Sequence, residues 1–183
     1  KSHLSQLLAD AHAQAPLRKG MARGEVRSRL QALLGIANLP VRLFNALIES
    51  AKKEAVLDAD DNTIWRFGFA VELTLVQQQV IDHVLEQFAA APYSPPNLAD
   101  TLRTLGEPEL LEMMIEQGQL VRLGDGVLFR GADFAAMTEK IIAYGHEHGA
   151  ITLAEVRDLF ATSRKYAQAI LEAPQEGNRL TAV

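Results

Sequence analysis

Cysteine is absent from this 183-residue chain, which removes disulfides, thiolate nucleophiles and cysteine-ligated metal sites together. A reducing compartment fits that composition, and a cytoplasmic location is expected. Aromatic residues are scarce, 6% against 48% apolar residues in all, so the interior has to be built from aliphatic side chains. Such a balance favours packed helices over an extended sheet. No apolar run is long enough to cross a bilayer and no signal-peptide pattern follows Lys1, so no membrane partner is expected. Positive charge is in short supply too: 18 Lys and Arg face 23 Asp and Glu, a formal net charge of -5. A polyanion can therefore be met only by local clusters. Also missing are a Gly-rich phosphate loop with its lysine, a Gly-x-Ser-x-Gly elbow and a dinucleotide fingerprint. His146 and His148 stand two apart, on different faces of a helix, unlike the i, i+4 pair of a zinc site. No enzymatic activity, metal or cofactor is expected for this chain.

What is present is helical periodicity broken by short turn signals. Leu4, Leu7, Leu8 and Ala11 share one helical face, and Pro16 ends the pattern. A second helix runs from about Ala22 to Leu34 with Val26, Leu30, Leu33 and Leu34 inward. A third starts at Pro40 and turns Leu43, Phe44, Leu47 and Ile48 to the core. The run AVLDADDNTIWRF then reads as strand, polar turn, strand. Three helices followed by a hairpin is the order of a winged helix.

The order recurs. Thr74 caps a long helix, Asn97 caps LADTLRTL, Pro108 opens ELLEMMIEQG with Gly118 at its C-cap, and Gly-Asp-Gly turns the hairpin QLVRLGDGVLFR. A third set of helices follows Gly131, but Pro174 and the few residues after it leave too little chain for a full wing. The expected fold is mainly α with small β wings: tandem winged-helix domains at 1–70, 71–131 and 132–183, the last with its wing incomplete or divergent. Because the chain begins without methionine on a helical pattern, it reads as a fragment of something longer.

The candidate functional stretch is GAITLAEVRDLFATSRKYAQAILE, Gly149 to Glu172. Thr152 and Glu155 have capping-box spacing for a short helix, and Thr162 or Ser163 can cap a second one. That second helix carries Arg164 and Lys165 in its first turn, where the helix dipole disfavours cations. With the free N–H groups of the helix start and the Ser163 hydroxyl, they form a phosphate-binding corner. The competing reading is a solvated pair beside an ordinary cap. A possible secondary basic patch consists of Arg18, Lys19, Arg23 and Arg27, with Arg29 close by and Glu25 against them; it reads equally as a solvated helix face. Trp65 either stacks on a base or covers the gap between wing and helices.

These residues resemble the C-terminal part of the bacterial selenocysteine-specific elongation factor family, SelB, over nearly the whole chain. The resemblance rests on APLRKGMARGEVRSRL, on LTLVQQQVIDHVLEQF with SPPNLADTL, and above all on Arg157-Asp158 followed by Ser163-Arg164-Lys165-Tyr166-Ala167 and Leu171-Glu172. It implies a winged-helix tail behind a GTP-binding translation factor. That tail would bind a messenger RNA hairpin, the selenocysteine insertion element, beside a UGA codon. Ribosome and selenocysteyl-tRNA would be reached through the N-terminal part that this chain lacks. By the same likeness Arg157, Ser163, Arg164 and Lys165 become the RNA contacts. The family usually continues after Leu-Glu with Phe-Asp and an arginine-rich wing, whereas here Ala173-Pro174-Gln175-Glu176 follows and only Arg179 is basic. A winged-helix DNA regulator and a protein-interaction scaffold remain as alternatives. No dimer seam shows in the tandem pattern, so a monomer is expected.

Overall fold

The computed structural model describes residues 2–173. The stretch 174–183, with Arg179 and the expected last wing, lies outside the described residues. The chain divides into two compact units, Lys1–Leu73 and Thr74–Val183.

The first unit runs α1 (Ser2–Gln14), β1 (Met21–Ala22), α2 (Arg23–Leu34), α3 (Val41–Lys53), β2 (Leu57–Ala59) and β3 (Thr63–Arg66). Its sheet has the order β1-β3-β2, all antiparallel, with Met21 opposite Ile64 and Leu57 opposite Arg66. The polar turn between β2 and β3 is held by Asp60, whose Oδ1 accepts from the backbone N–H groups of Asn62 and Thr63 at 3.0 and 2.7 Å. Leu4, Leu8, Val26, Leu30, Phe44, Ile48, Leu57 and Ile64 form the core. Two readings need correcting. Strand β1 lies in what the sequence suggested was loop, because two residues carry no periodicity. Leu33, Leu34 and Leu43 are 55%, 47% and 59% exposed rather than inward. Among the residues of α2 only Val26 and Leu30 are buried, and the helix ends at Gly35 one turn later, beyond the packed face.

The second unit begins with α4 (Leu75–Ala90), α5 (Leu98–Leu105), α6 (Pro108–Glu116) and the hairpin β4 (Leu120–Leu123) and β5 (Val127–Arg130). Its punctuation follows the sequence. Thr74 and Gln77 form a capping box, the Asn97 side chain accepts from the Asp100 N–H, and Pro108 opens α6. Asp125 and Gly126 turn the hairpin with φ of 57° and 67°. Three more helices follow: α7 (Gly131–His148), α8 (Leu153–Leu159) and α9 (Arg164–Glu172). Here β5 passes into α7 without a linker. Gly131 donates its N–H to the Gln119 carbonyl at 2.9 Å, and a Cβ at Gly131 would collide with the Gly118 carbonyl oxygen.

The division expected near residue 131 does not separate two cores. Val127 and Phe129 of β5 are buried together with Met137, Ile141, Val156, Phe160, Ala167 and Ile170 from the three later helices. Among the described residues those helices have no strand of their own, so they cover the second face of the preceding hairpin. A set of helices this small buries too little apolar surface alone, and a shared sheet supplies the missing half of its core.

Candidate nucleic-acid interface

Helices α8 and α9 are placed by their ends. Thr152 opens α8 in a capping box: its hydroxyl accepts from the Glu155 N–H at 3.3 Å, and Glu155 Oε2 accepts from the Thr152 N–H at 2.7 Å. The Thr152 hydroxyl and backbone bonds, with that of the Tyr144 hydroxyl, hold the Glu155 carboxyl below its ordinary range. The Tyr144 hydroxyl donates to Glu155 Oε1 at 3.1 Å, which ties α7 to α8. Helix α8 closes with the Thr162 N–H on the Arg157 carbonyl at 3.0 Å and the Ala161 N–H on the Asp158 carbonyl at 3.3 Å. That double bond pattern puts Ala161 in the left-handed region, φ 47°.

The tight turn is then anchored to the loop after α4. The buried Thr162 hydroxyl donates to the Tyr93 carbonyl, and the Tyr166 hydroxyl donates to the Pro95 carbonyl at 2.7 Å. Burial raises the Tyr166 phenol, so it stays a neutral donor. Ring contacts complete the seat, Tyr93 on Phe160 at 5.2 Å and Tyr166 edge-on to Phe129 at 5.8 Å. Thr162, one of two possible caps in the sequence, is therefore spent on holding the turn. Ser163 takes the N-cap position, yet its side chain makes no capping bond.

The start of α9 is thus rigidly positioned and chemically unspent. Ser163, Arg164 and Lys165 are all exposed. Among the described residues neither Arg164 nor Lys165 has an ion-pair or hydrogen-bond partner, and α9 has no acidic residue in its first turn. Below them lies a groove of about 260 Å³ lined by Arg164, Lys165, Gln168, Ala169 and Glu172 on one side and by Gly124 and Asp125 of the β4–β5 turn on the other. That the hairpin tip reaches the same groove was not legible in the sequence, where Gly124-Asp125-Gly126 signalled only a turn. No local pattern marks which later helix a turn will meet.

Arg157 stands differently from the other three predicted contacts. It is exposed, but its Nε and one terminal nitrogen lie 2.8 and 2.7 Å from Asp158 Oδ1. The guanidinium is thereby engaged by its own neighbour.

The secondary basic patch of the first unit is also engaged. Lys19 Nζ is 2.9 Å from Asp60 and 3.9 Å from the centre of the Trp65 ring. That contact makes Trp65 a half-buried cover of the wing. Arg23 donates to the Asp60 carbonyl and to Asn45, each at 3.1 Å. Arg27 donates to the Leu39 carbonyl at 2.8 Å, and Arg29 pairs with Glu25 at 2.7 Å. Arg18 makes intramolecular contacts as well. His12, not singled out by the sequence, lies buried among them. It stacks on Phe69 at 3.5 Å with Nε2 3.1 Å from the Lys19 carbonyl, and burial depresses its pKa.

His148 stacks on Tyr144 at 4.2 Å, and among the described residues no group of three or more His, Asp or Glu is placed to hold an ion. None of the described helices is long and apolar enough to cross a membrane.

Residues 6–64 match the family model for elongation factor SelB, winged helix, in its second such domain, and residues 143–173 match the model for the third. The two matches support a C-terminal SelB winged-helix region. The first match spans α1 to β3, and the second begins near the end of α7 and contains α8 and α9 entire. In this SelB region the unspent cations therefore fall inside a matched winged-helix segment. A search of curated proteins finds no match to the chain.

Proposed function

We propose that this SelB winged-helix region binds a messenger RNA hairpin, the selenocysteine insertion element beside a UGA codon, and so supports selenocysteine incorporation by a translation elongation factor. The observation that carries the reading is the start of α9, where two exposed cations, an uncommitted serine hydroxyl and free helix N–H groups converge, with no ion pair to either cation among the described residues. Cations there oppose the helix dipole, so a bound polyanion supplies the compensation that the fold omits. Lys165 and the N–H groups take phosphate oxygens, Ser163 bonds them, and Arg164 reaches a phosphate or an unpaired base. Arg157 joins only if phosphate displaces Asp158.

A titration at fixed salt against the host's UGA-adjacent hairpin tests the reading, with duplex DNA as the competitor. Hairpin binding that weakens steeply with added salt, and that falls on Arg164→Ala, supports it. Equal affinity for duplex DNA, or a flat salt response, overturns it.

A further inference from the structure

We infer that Tyr166 is a positioning residue of the RNA contact: through its bond to the Pro95 carbonyl it sets the rotation of α9 about its own axis, and with it the direction in which Arg164 and Lys165 point. The inference rests on the RNA reading of the α9 start and adds a residue that itself touches no RNA.

The apolar packing of α9 leaves that rotation loosely specified. Its buried residues are Ala167, Ala169 and Ile170, and two of the three offer only a methyl group. Small side chains lack the shape complementarity that selects one arrangement of a helix on its support. The Thr162 hydroxyl fixes where the chain enters the helix, not how the helix is turned. Tyr166 supplies the missing constraint. Its hydroxyl donates to the Pro95 carbonyl at 2.7 Å, and its ring stands edge-on to Phe129 at 5.8 Å. Pro95 is buried, so the acceptor is itself held in place. A hydrogen bond weakens steeply as its geometry departs from ideal, whereas apolar contact is non-directional.

The cations inherit that constraint through the helix. At 3.6 residues per turn, Arg164 lies about 160° round the axis from Tyr166 and Lys165 about 100°. Anchoring the tyrosine on the inner side therefore sends Arg164 to the opposite, exposed side and Lys165 to the flank. Both charges sit at the ends of long side chains, so a modest turn of the helix becomes a large displacement at the contact. A binding constellation tolerates only about 0.5 Å and 10–20° of error. The hydroxyl bond keeps α9 inside that tolerance before RNA arrives.

The test titrates the full 183-residue chain and its Tyr166→Phe variant, which keeps the ring and loses only the hydroxyl, against the host's UGA-adjacent hairpin. The variant should bind about fivefold more weakly, the scale of one hydrogen bond. Its salt slope should match the parent's, because no phosphate contact is removed. In an Arg164→Ala background the same change should keep less than about half of that effect, since the group it aims is gone. A tyrosine that serves only the fold would lower the urea midpoint and leave both the affinity of the folded chain and its coupling to Arg164 unmoved. Parental affinity in Tyr166→Phe, an altered salt slope, or an undiminished effect without Arg164 overturns the inference alone. A parent that does not bind the hairpin, or that binds it equally well as Arg164→Ala, overturns the RNA reading of the α9 start and this inference with it.

Discussion

The first unit and the second handle positive charge in opposite ways. Residues 1–73 hold ten Lys and Arg against eight Asp and Glu, while residues 74–183 hold eight against fifteen. By charge alone the first unit is the better partner for a polyanion. Yet the cations of its basic cluster are committed internally: Lys19 to Asp60 and Trp65, Arg23 to Asn45 and a carbonyl, Arg27 to the Leu39 carbonyl, Arg29 to Glu25. In the acidic second unit Arg122 and Arg130 are likewise paired, with Glu112 and Asp133, but Arg164 and Lys165 are not. Net charge sets the long-range field, whereas a contact needs a side chain with nothing else to hold.

The contrast can be broken most severely by reversing Arg164 and Lys165. Arg164→Glu with Lys165→Glu should weaken hairpin binding by about 100-fold or more, as two phosphate or base contacts of roughly 1–3 kcal/mol imply. The same pair should not destabilise the fold, since acids at a helix start gain about 0.3–1 kcal/mol each from the dipole. Affinity by titration and stability by urea unfolding must move in opposite directions; a parallel loss would mean the cations are structural after all.

Next in size is Thr162→Val. It leaves the Tyr93 carbonyl without its buried donor and should cost the second unit about 1–3 kcal/mol. RNA affinity should fall with it, because the same bond seats the turn before α9. Arg27→Ala sharpens the comparison from the other side. Losing the bond to the Leu39 carbonyl should cost the first unit about 1–2 kcal/mol in urea unfolding, while hairpin affinity stays within about twofold. A large affinity loss there would return the first unit to the interface.

Smaller again is Ala161→Gly. Ala161 occupies the left-handed region at φ 47°, and releasing its Cβ should stabilise the second unit by about 1 kcal/mol. Ala55, at φ 54° after α3, should respond alike in the first unit.

The last difference concerns pH. Burial holds the His12 pKa below its ordinary value of about 6.5, so the folded first unit keeps this ring neutral while the unfolded chain binds a proton more readily. Its contribution is complete above about pH 6.5 and is lost as pH falls through the lower, folded value. Unfolding of the first unit followed by near-UV signal should show that slope, and His12→Gln should flatten it.

Much of the secondary structure could be read locally. Thr152 and Glu155 stand at capping-box spacing, Pro108 opens a helix, and Gly118 ends one, because each satisfies backbone groups within a few residues of itself. The failures share a different cause. Leu33, Leu34 and Leu43 fit the helical period, but a period cannot say where a helix runs past the core. Of the two possible caps, Thr162 and Ser163, it is Ser163 that takes the N-cap position, and the Thr162 hydroxyl bonds Tyr93, 69 residues away. Arg157, an RNA contact by the family likeness, is bonded to its neighbour Asp158, a pairing the motif did not reveal.

What the sequence determined alone was the alternation of helices and wings and the pair of cations at a helix start, since periodicity, caps and dipole position are properties of neighbouring residues. The tertiary structure decided which cations stay unspent, that the later helices complete their core on β5, and that the tip of the β4–β5 hairpin closes one side of the groove. Those outcomes depend on which distant donors, acceptors and apolar faces meet, and no stretch of chain specifies that until it has packed against the rest.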